Sequence, residues 1–453
     1  MNLLTDPWIL TTDGREIGIL DALASPGISG VAHGWSVVRM LMAEAQKACT
    51  PVDDEDHIKC KETFLQKLTA HLEANKASWE FDAKLQSARC AALTHNIDIS
   101  MLTADRSSGS SAIVFSSQAP VDKASLNEAV RAAVIMPVFG ACAKYSDATG
   151  VPKPGSAKDI SQLFLQGPTV WETLYLNLWT AKEVKNDHRY TSVLDLVSRL
   201  YRPVHDIHFD MASGKFALSA RASATPLAKG DINEPFALLR NKDKKVYQHR
   251  PAPVSSYWES LEALVAYKLS SEVCHLSRCL DKARMSFAGS SFDIRSVGLT
   301  CDSKKYSIGL GQGYTDSQVT MHVSRMGSKG ITKAADAIKS IDKHRMILYA
   351  CCASYCQHLQ NGGKKYVKKP SGVKKFLNKA TNTYLHLLSG VLSSEIPCLY
   401  DYGSNPEDDE YKALGNLERK LHHVVEGAFD ECCRHGSSRE MHAYAISSPK
   451  FNK

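Results

Sequence analysis

No apolar run in this 453-residue chain approaches the roughly 18 to 20 residues of a membrane-spanning helix. The first ten residues are acidic rather than basic and lack a small-residue cleavage site, so no secretory signal is expected. The 13 cysteines are odd in number, irregularly spaced and without a C-x-x-C pair. That pattern excludes a regular disulfide scaffold and the paired spacing of a structural zinc site. Reduced, buried thiols in a cytoplasmic protein are the expectation. Catalytic signatures are also missing. Gly309-Leu310-Gly311-Gln312-Gly313 is glycine-rich but lacks the Lys-Ser/Thr of a P-loop. There is no G-x-S-x-G nucleophile elbow and no H-E-x-x-H zinc motif.

What is present is ordinary globular material. Apolar residues make up 43% and charged residues 23%, enough for a sizeable core. The length suits two or three domains. The net charge of +7, from 55 basic and 48 acidic residues, permits a nucleic-acid partner without demanding one, so the distribution of charge matters more than its sum.

The pattern along the chain predicts an α+β body over residues 1–325, with short sheets and hairpins, and a C-terminal four-helix bundle over 326–453. The opening reads as a hairpin, 8–11 and 16–20, turning at Asp13-Gly14. Helical spacing follows over 35–49, 65–72 and 81–93. A Ser/Gly stretch at 107–111 precedes a strand at 112–115. Residues 127–139 are apolar, and 146–159 read as a loop. Residues 169–180 are apolar without deciding between helix and strand. Residues 202–218 and 236–249 are strand-like, the latter with Asn241-Lys242-Asp243-Lys244 at its tip. A helix is expected over 260–283, and two strands within 296–310 around Cys301 to Lys305. Helices are expected at 331–359, 373–392, 411–435 and 438–446.

Two clusters invite a metal or acid–base reading. Cys351, Cys352, Cys356 and His358 fall on one predicted helix, but a structural zinc site draws its ligands from separate segments. His422, His423 and Glu426 resemble half of a bundle motif without its partners. The carboxylate pairs Asp53-Asp54 and Asp408-Asp409 read as lying in hydrophilic loops, where solvated charge is the default. No catalytic residue, metal ligand or cofactor site is assigned.

Lysine carries the stronger signal. Residues 362–379 hold Lys364, Lys365, Lys368, Lys369, Lys374, Lys375 and Lys379 with no acidic residue between them. Such a run is either a solvated face or a phosphate-binding surface that acts through counterion release. A second patch surrounds Lys242, Lys244, Lys245 and Arg250. A lysine-tipped hairpin can enter a groove, or it can simply blunt a sheet edge.

The opening Asn2-Leu3-Leu4-Thr5-Asp6-Pro7-Trp8-Ile9 is similar to the N-L-L-x-D-x-W-I start of the large subunit (CasA) family of the type I-E CRISPR Cascade complex. Residues 236–258, with their lysine hairpin and Ala-Pro-x-x-x-x-x-Trp segment, resemble the same family. So does the stretch Leu417-Glu418-Arg419-Lys420-Leu421-His422-His423 onward to Phe429. The resemblance implies a non-catalytic subunit that reads the protospacer-adjacent motif (PAM) in double-stranded DNA. It also implies that the subunit helps open the strands, stabilises the R-loop and receives a helicase-nuclease. Partners would be crRNA and the other Cascade subunits, in a prokaryotic cytoplasm and with no membrane.

By the same resemblance Lys242, flanked by Lys244 and Lys245, matches the lysine that enters the minor groove, and Ser303, Lys304 and Lys305 match the strand-separating tip. Gly150, Lys153 and Gly155 fall where the family has a glycine-rich PAM loop, although the glycine run is missing here. Arg106, Ser108, Gly109 and Ser110 match the segment that docks on the crRNA handle. Many relatives carry zinc-binding cysteine pairs, so a divergent member without that site is expected. The alternatives are a non-CRISPR RNA-binding scaffold and an enzyme with a helical accessory domain.

Overall fold

The computed structural model describes residues 1–81, 97–98, 125–139, 155–157, 160–203, 205–210, 212–213, 215–220, 234–237, 239–242, 245–248, 275–287, 291–300, 313–322, 328–361, 371–401, 410–433 and 436–449. The expected elements at 81–93 and 112–115 fall almost wholly outside them. The chain divides into two units. One comprises Met1–Ser256 and Glu272–Gln318, the other Tyr257–Ser271 and Val319–Lys453.

In the first unit, β1 (Ile9–Leu10) pairs antiparallel with β2 (Glu16–Ile17). Gly14 takes φ +84°, which supplies the turn. The return strand is shorter than expected. Gly18 follows it, and a Cβ there would lie 2.6 Å from the Leu4 carbonyl oxygen. The chain then bends directly into α1 (Ile19–Leu23).

Helix α2 (Val31–Ala48) is buried on almost every side, the mark of a helix through the middle of a core. Helix α3 (Asp54–Ala74) opens on Asp53, whose side chain accepts the Asp56 amide, and carries Asp54, Glu55 and Asp56 in its first turn. The Asp53-Asp54 pair is therefore a helix start, where negative charge faces unsatisfied N–H groups. A 3-10 turn spans Lys76–Trp79.

Next come β3 (Ile97–Asp98), α4 (Leu126–Phe139) and β4 (Gln162–Gln166). The undecided stretch 169–180 is a helix, α5 (Val170–Leu176), started by Thr169. It stops at Asn177, whose amide donates to the Leu165 and Thr173 carbonyls while its oxygen accepts the Leu165 N–H. Helix α6 (Ala181–Asn186) begins with a reciprocal Thr180–Glu183 capping box, and α7 (Val193–Leu200) begins at Ser192. Strands β5 (His205–Asp210), β6 (Lys215–Ala220), β7 (Leu239–Lys242) and β8 (Lys245–Gln248) follow. Helix α8 (His275–Ser286) and strands β9 (Ser291–Thr300) and β10 (Gly313–His322) come next. The expected strand pair within 296–310 is thus displaced. Its first strand begins at Ser291 and its second only at Gly313.

Among the described residues the strands form four small sheets, ordered β1-β2, β10-β9-β4, β3-β6-β5 and β7-β8. Helix α2 packs against α3, α4, α5 and α7. Trp8, Trp35, Phe64, Leu174, Trp179 and Phe236 are among the buried side chains between them.

The second unit contains α9 (Ser328–Asn361), α10 (Ser371–Asp401), α11 (Glu410–Cys432) and α12 (Ser438–Ser447). The first three pack on one another, and α12 packs on α9. Their buried positions step at three and four residues, as in Val373, Leu377, Ala380, Tyr384 and Leu388. Tyr384 Oη donates to the Ile341 carbonyl at 3.0 Å, tying α10 to α9. The chain is mostly helical, more so than the hydropathy pattern alone suggested. No helix among the described residues is long and apolar enough to cross a membrane.

Candidate nucleic-acid interface

The lysine hairpin is a two-stranded ribbon with a short apex. Register pairs Lys242 with Lys245 and Arg240 with Tyr247. Only residues 243 and 244 lie between the strands, so Asn241 and Lys242 belong to β7 rather than to the tip. Lys244 itself falls outside the described residues.

The base of this ribbon is held by several hydrogen bonds to the rest of the first unit. Glu234-Pro235-Phe236-Ala237 forms a turn in which the Ala237 N–H donates to the Glu234 carbonyl at 3.2 Å. Proline suits its second position because its φ is already near the required value. The Phe236 carbonyl then accepts the Leu163 N–H at 2.9 Å, and Ala237 bridges to Gln162. The turn is thereby stitched onto β4. One residue later the hairpin begins.

Phe236 is buried. Its ring meets Trp35, Trp179 and His275 edge-on at centroid distances of 5.0, 5.2 and 5.6 Å. Trp35 stacks on Phe164 at 3.8 Å. Such edge and stacked contacts add to simple area burial and fix ring orientation.

Beneath the rings runs a buried ionic network. The Arg39 side chain, 0% exposed, pairs with Glu234, 4% exposed. Its Nη1 donates to Glu234 Oε1 and, at 2.8 Å, to Gln162 Oε1. Its Nη2 reaches the Arg199 carbonyl at 2.8 Å, and its Nε reaches the Leu200 carbonyl at 2.6 Å. Burial pushes the Glu234 carboxyl up from its ordinary range, opposed by the neighbouring Arg39 charge. Arg189 holds Asp187 through two hydrogen bonds of 2.9 and 2.8 Å. Lys282, from α8, meets Glu183 at 3.0 Å. Arg39 was not among the candidate residues read from the sequence. The signal was there: it is the sole charged residue between 31 and 43, and a lone charge in an apolar helix requires a buried partner.

Other candidates are placed only in part. Gly155 is buried, and the next residue donates its N–H to the Pro137 carbonyl of α4 at 3.0 Å. Gly150 and Lys153 lie outside the described residues, as do Arg106, Ser108, Gly109 and Ser110. Ser303, Lys304 and Lys305 lie in 301–312, between β9 and β10, also outside. Lys364, Lys365, Lys368 and Lys369 fall in 362–370, between α9 and α10, outside again. Lys374 and Lys375 are exposed at the start of α10.

The cysteines of α9 lie against the end of α11. Cys352 and Cys356 are buried, and Cys352 Sγ lies 4.0 Å from Cys433 Sγ at the end of α11. Burial pushes the Cys351 and Cys356 thiols up to about 11. Of the histidine pair, His422 faces the ring of His344 at 5.0 Å, and exposed His423 meets Glu426 at 3.3 Å. Among the described residues no group of three or more His, Cys, Asp or Glu side chains is placed to hold a metal ion.

Comparison with known proteins gives this geometry its context. None of the curated proteins matches the chain. Several solved structures share its fold. CasA from Thermus thermophilus is 17% identical, with a TM-score of 0.72 over 99% of this chain and 97% of that one. Cse1 from Thermobifida fusca is 17% identical, with a TM-score of 0.67 over 98% and 93%. A chain of a CRISPR RNA-guided surveillance complex is 13% identical, with a TM-score of 0.63 over 99% and 98%. The family model of the CRISPR-associated protein Cse1 matches residues 2–426. The chain therefore belongs to the Cse1 (CasA) family, the non-catalytic large subunit of type I-E Cascade.

Proposed function

We propose that this chain reads the PAM in duplex DNA for a crRNA-guided surveillance complex, helps part the strands, stabilises the R-loop and receives the helicase-nuclease. The observation that carries the reading is the lysine ribbon β7–β8 standing one residue beyond a docked, buried turn. A base reader needs basic groups at the end of a rigid support, because a flexible support loses the positional accuracy that groove contacts require. Lys242 and Lys245 close the apex in register. In the minor groove the donor and acceptor pattern is degenerate, so lysine readout there is permissive rather than strict. Guide pairing reads the remaining sequence, as in single-protein effectors.

The other assignments follow the same family reading. Ser303, Lys304 and Lys305 act at the strand-separating tip, and Gly150 and Lys153 belong to the PAM-facing segment, at whose end the buried Gly155 is an anchor rather than a contact. Arg106, Ser108, Gly109 and Ser110 dock on the crRNA handle. Residues 326–453 form a four-helix bundle, and its lysines Lys364, Lys365, Lys368, Lys369, Lys374 and Lys375 hold the phosphates of the opened strands. The complex works in the prokaryotic cytoplasm.

The test is Lys242→Ala in the assembled complex, with Lys244→Ala as comparison. Removing a base-edge hydrogen bond costs about 1–3 kcal/mol. The effect should appear on PAM-bearing duplex and spare a pre-opened bubble, which bypasses duplex reading. Equal effects on PAM duplex, PAM-free duplex and bubble would reduce Lys242 to a phosphate contact and move the reading elsewhere.

A further inference from the structure

The ribbon's base raises a question that DNA reading alone does not answer, namely why an ion pair is buried there. A well-packed apolar pair is often as stable as a buried ionic one, so stability is a weak reason for its presence. Direction is a better one. Apolar contacts tolerate sliding, whereas a guanidinium fork holds its acceptors in fixed positions.

The Arg39 fork reaches three other segments at once. It bonds Gln162 on β4, the Arg199 and Leu200 carbonyls at the end of α7, and both carboxylate oxygens of Glu234. Glu234 opens the turn whose Phe236 carbonyl is bonded to β4. Arg39 also lies 5.5 Å from the Phe236 ring centroid. Through Gln162, which also accepts from Trp35 Nε1 at 2.6 Å, the same network fixes the aromatic wall of Phe236. From Ala237 to the first residue of the ribbon there is one intervening position.

We propose that Arg39 is a positioning residue: acting through Glu234, it sets where the β7–β8 ribbon stands. It touches no nucleic acid itself. The consequence for DNA rests on the reading of Lys242 given above, whereas the positioning does not.

The test separates the two. Arg39→Lys keeps the charge opposite Glu234 but loses the fork. Removing one charge-assisted hydrogen bond raises local opening by roughly 10- to 100-fold. Amide hydrogen exchange over residues 234–248 should therefore rise by at least about tenfold, while α3 and α11 keep their wild-type protection. Glu234→Gln is the second variant, should Arg39→Lys fail to fold. It keeps a bonding oxygen, leaves Arg39 its other acceptors and should open the same segment.

In the assembled complex, the variant that folds should weaken PAM-duplex binding by about tenfold and leave bubble binding unchanged. A structural role alone would raise exchange equally across α2, β4 and α7 and weaken both targets together. Either that result or unchanged exchange over 234–248 overturns the proposal. Lys242→Ala, measured alongside, should leave exchange at wild-type values. If its DNA effect is not PAM-selective, the DNA reading fails while the exchange data still judge Arg39.

Discussion

Acid should weaken the first unit well before carboxylates in general titrate, because three of its histidines are buried in the neutral form. His57 Nε2 lies 3.1 Å from the Tyr175 carbonyl and His275 Nε2 lies 2.9 Å from the Asn177 carbonyl. Since a carbonyl only accepts, those nitrogens carry the proton. Nδ1 of each ring, and Nε2 of His33, are buried without a hydrogen-bond partner among the described residues. A second proton there would have nothing to bond.

Burial, reinforced by the charge of Lys282, pushes His57 down to about 3; burial and Arg131 push His33 down to about 4. His275 moves in the same direction, chiefly through burial. A lowered histidine leaves stability untouched above its unfolded value near 6.5. As the pH falls below that, the unfolded chain takes up a proton that the folded one refuses. The loss grows by about 1.4 kcal/mol per pH unit for each ring and levels off only below the folded value. At pH 5, His33 and His57 should each cost roughly 2 kcal/mol, about 4 together, with His275 adding to this.

Glu234 acts oppositely, because its raised carboxyl is protonated sooner in the folded state and so favours folding as the pH falls. The carboxyls of Asp187 and Asp195 are lowered, so their contribution is lost only below the window from pH 7.5 to 5. Urea unfolding followed by tryptophan fluorescence reads mainly the right unit, since five of the six tryptophans, Trp8, Trp35, Trp79, Trp171 and Trp179, lie in it and Trp258 alone in the other. The expected result is a clear fall in unfolding free energy between pH 7.5 and 5. His57→Gln, which keeps a donor for Tyr175, should remove about one proton from the slope. An unfolding free energy that is flat over that range, or a His57→Gln slope equal to wild type, would refute the reasoning.

Tyr384→Phe removes the Oη bond to Ile341 and should cost about 1 to 1.5 kcal/mol, seen as faster amide exchange in α9 and α10 with the first unit unaffected. Replacing Lys364, Lys365, Lys368 and Lys369 together by Ala should weaken binding of the opened target and flatten its salt dependence, by about 0.7 to 0.9 in log–log slope for each phosphate no longer neutralised. PAM preference should stay the same, since phosphate contacts position rather than specify; an altered PAM profile with an unchanged slope would contradict the assignment.

What could be read from the sequence was what short-range chemistry decides. The Asp13-Gly14 turn, the apolar face of α2 and the four C-terminal helices all follow from spacing within one or two turns of chain. The stretch 169–180 could not be read, because its helix ends on Asn177, a residue whose side chain bonds Leu165 across twelve positions. The apex of the lysine hairpin reads two residues too wide from the sequence, since Asp243-Lys244 lacks the glycine that would mark a two-residue turn. The Arg39–Glu234 pair joins residues 195 apart. Only its first half leaves a trace, as an arginine out of place.

The close of α4 has a consequence for chain length. The carbonyls of Pro137 and Val138 accept the N–H groups of Ser156 and Ala157, at 3.0 and 2.8 Å. The close of α4 and residues 156–157 are thus held by a clasp made entirely of backbone, which does not depend on side-chain identity. Lengthening a closed segment costs only about 0.6 kcal/mol per doubling. On the clasp's account alone, a change in the length of 140–154 would therefore cost the two hydrogen bonds little.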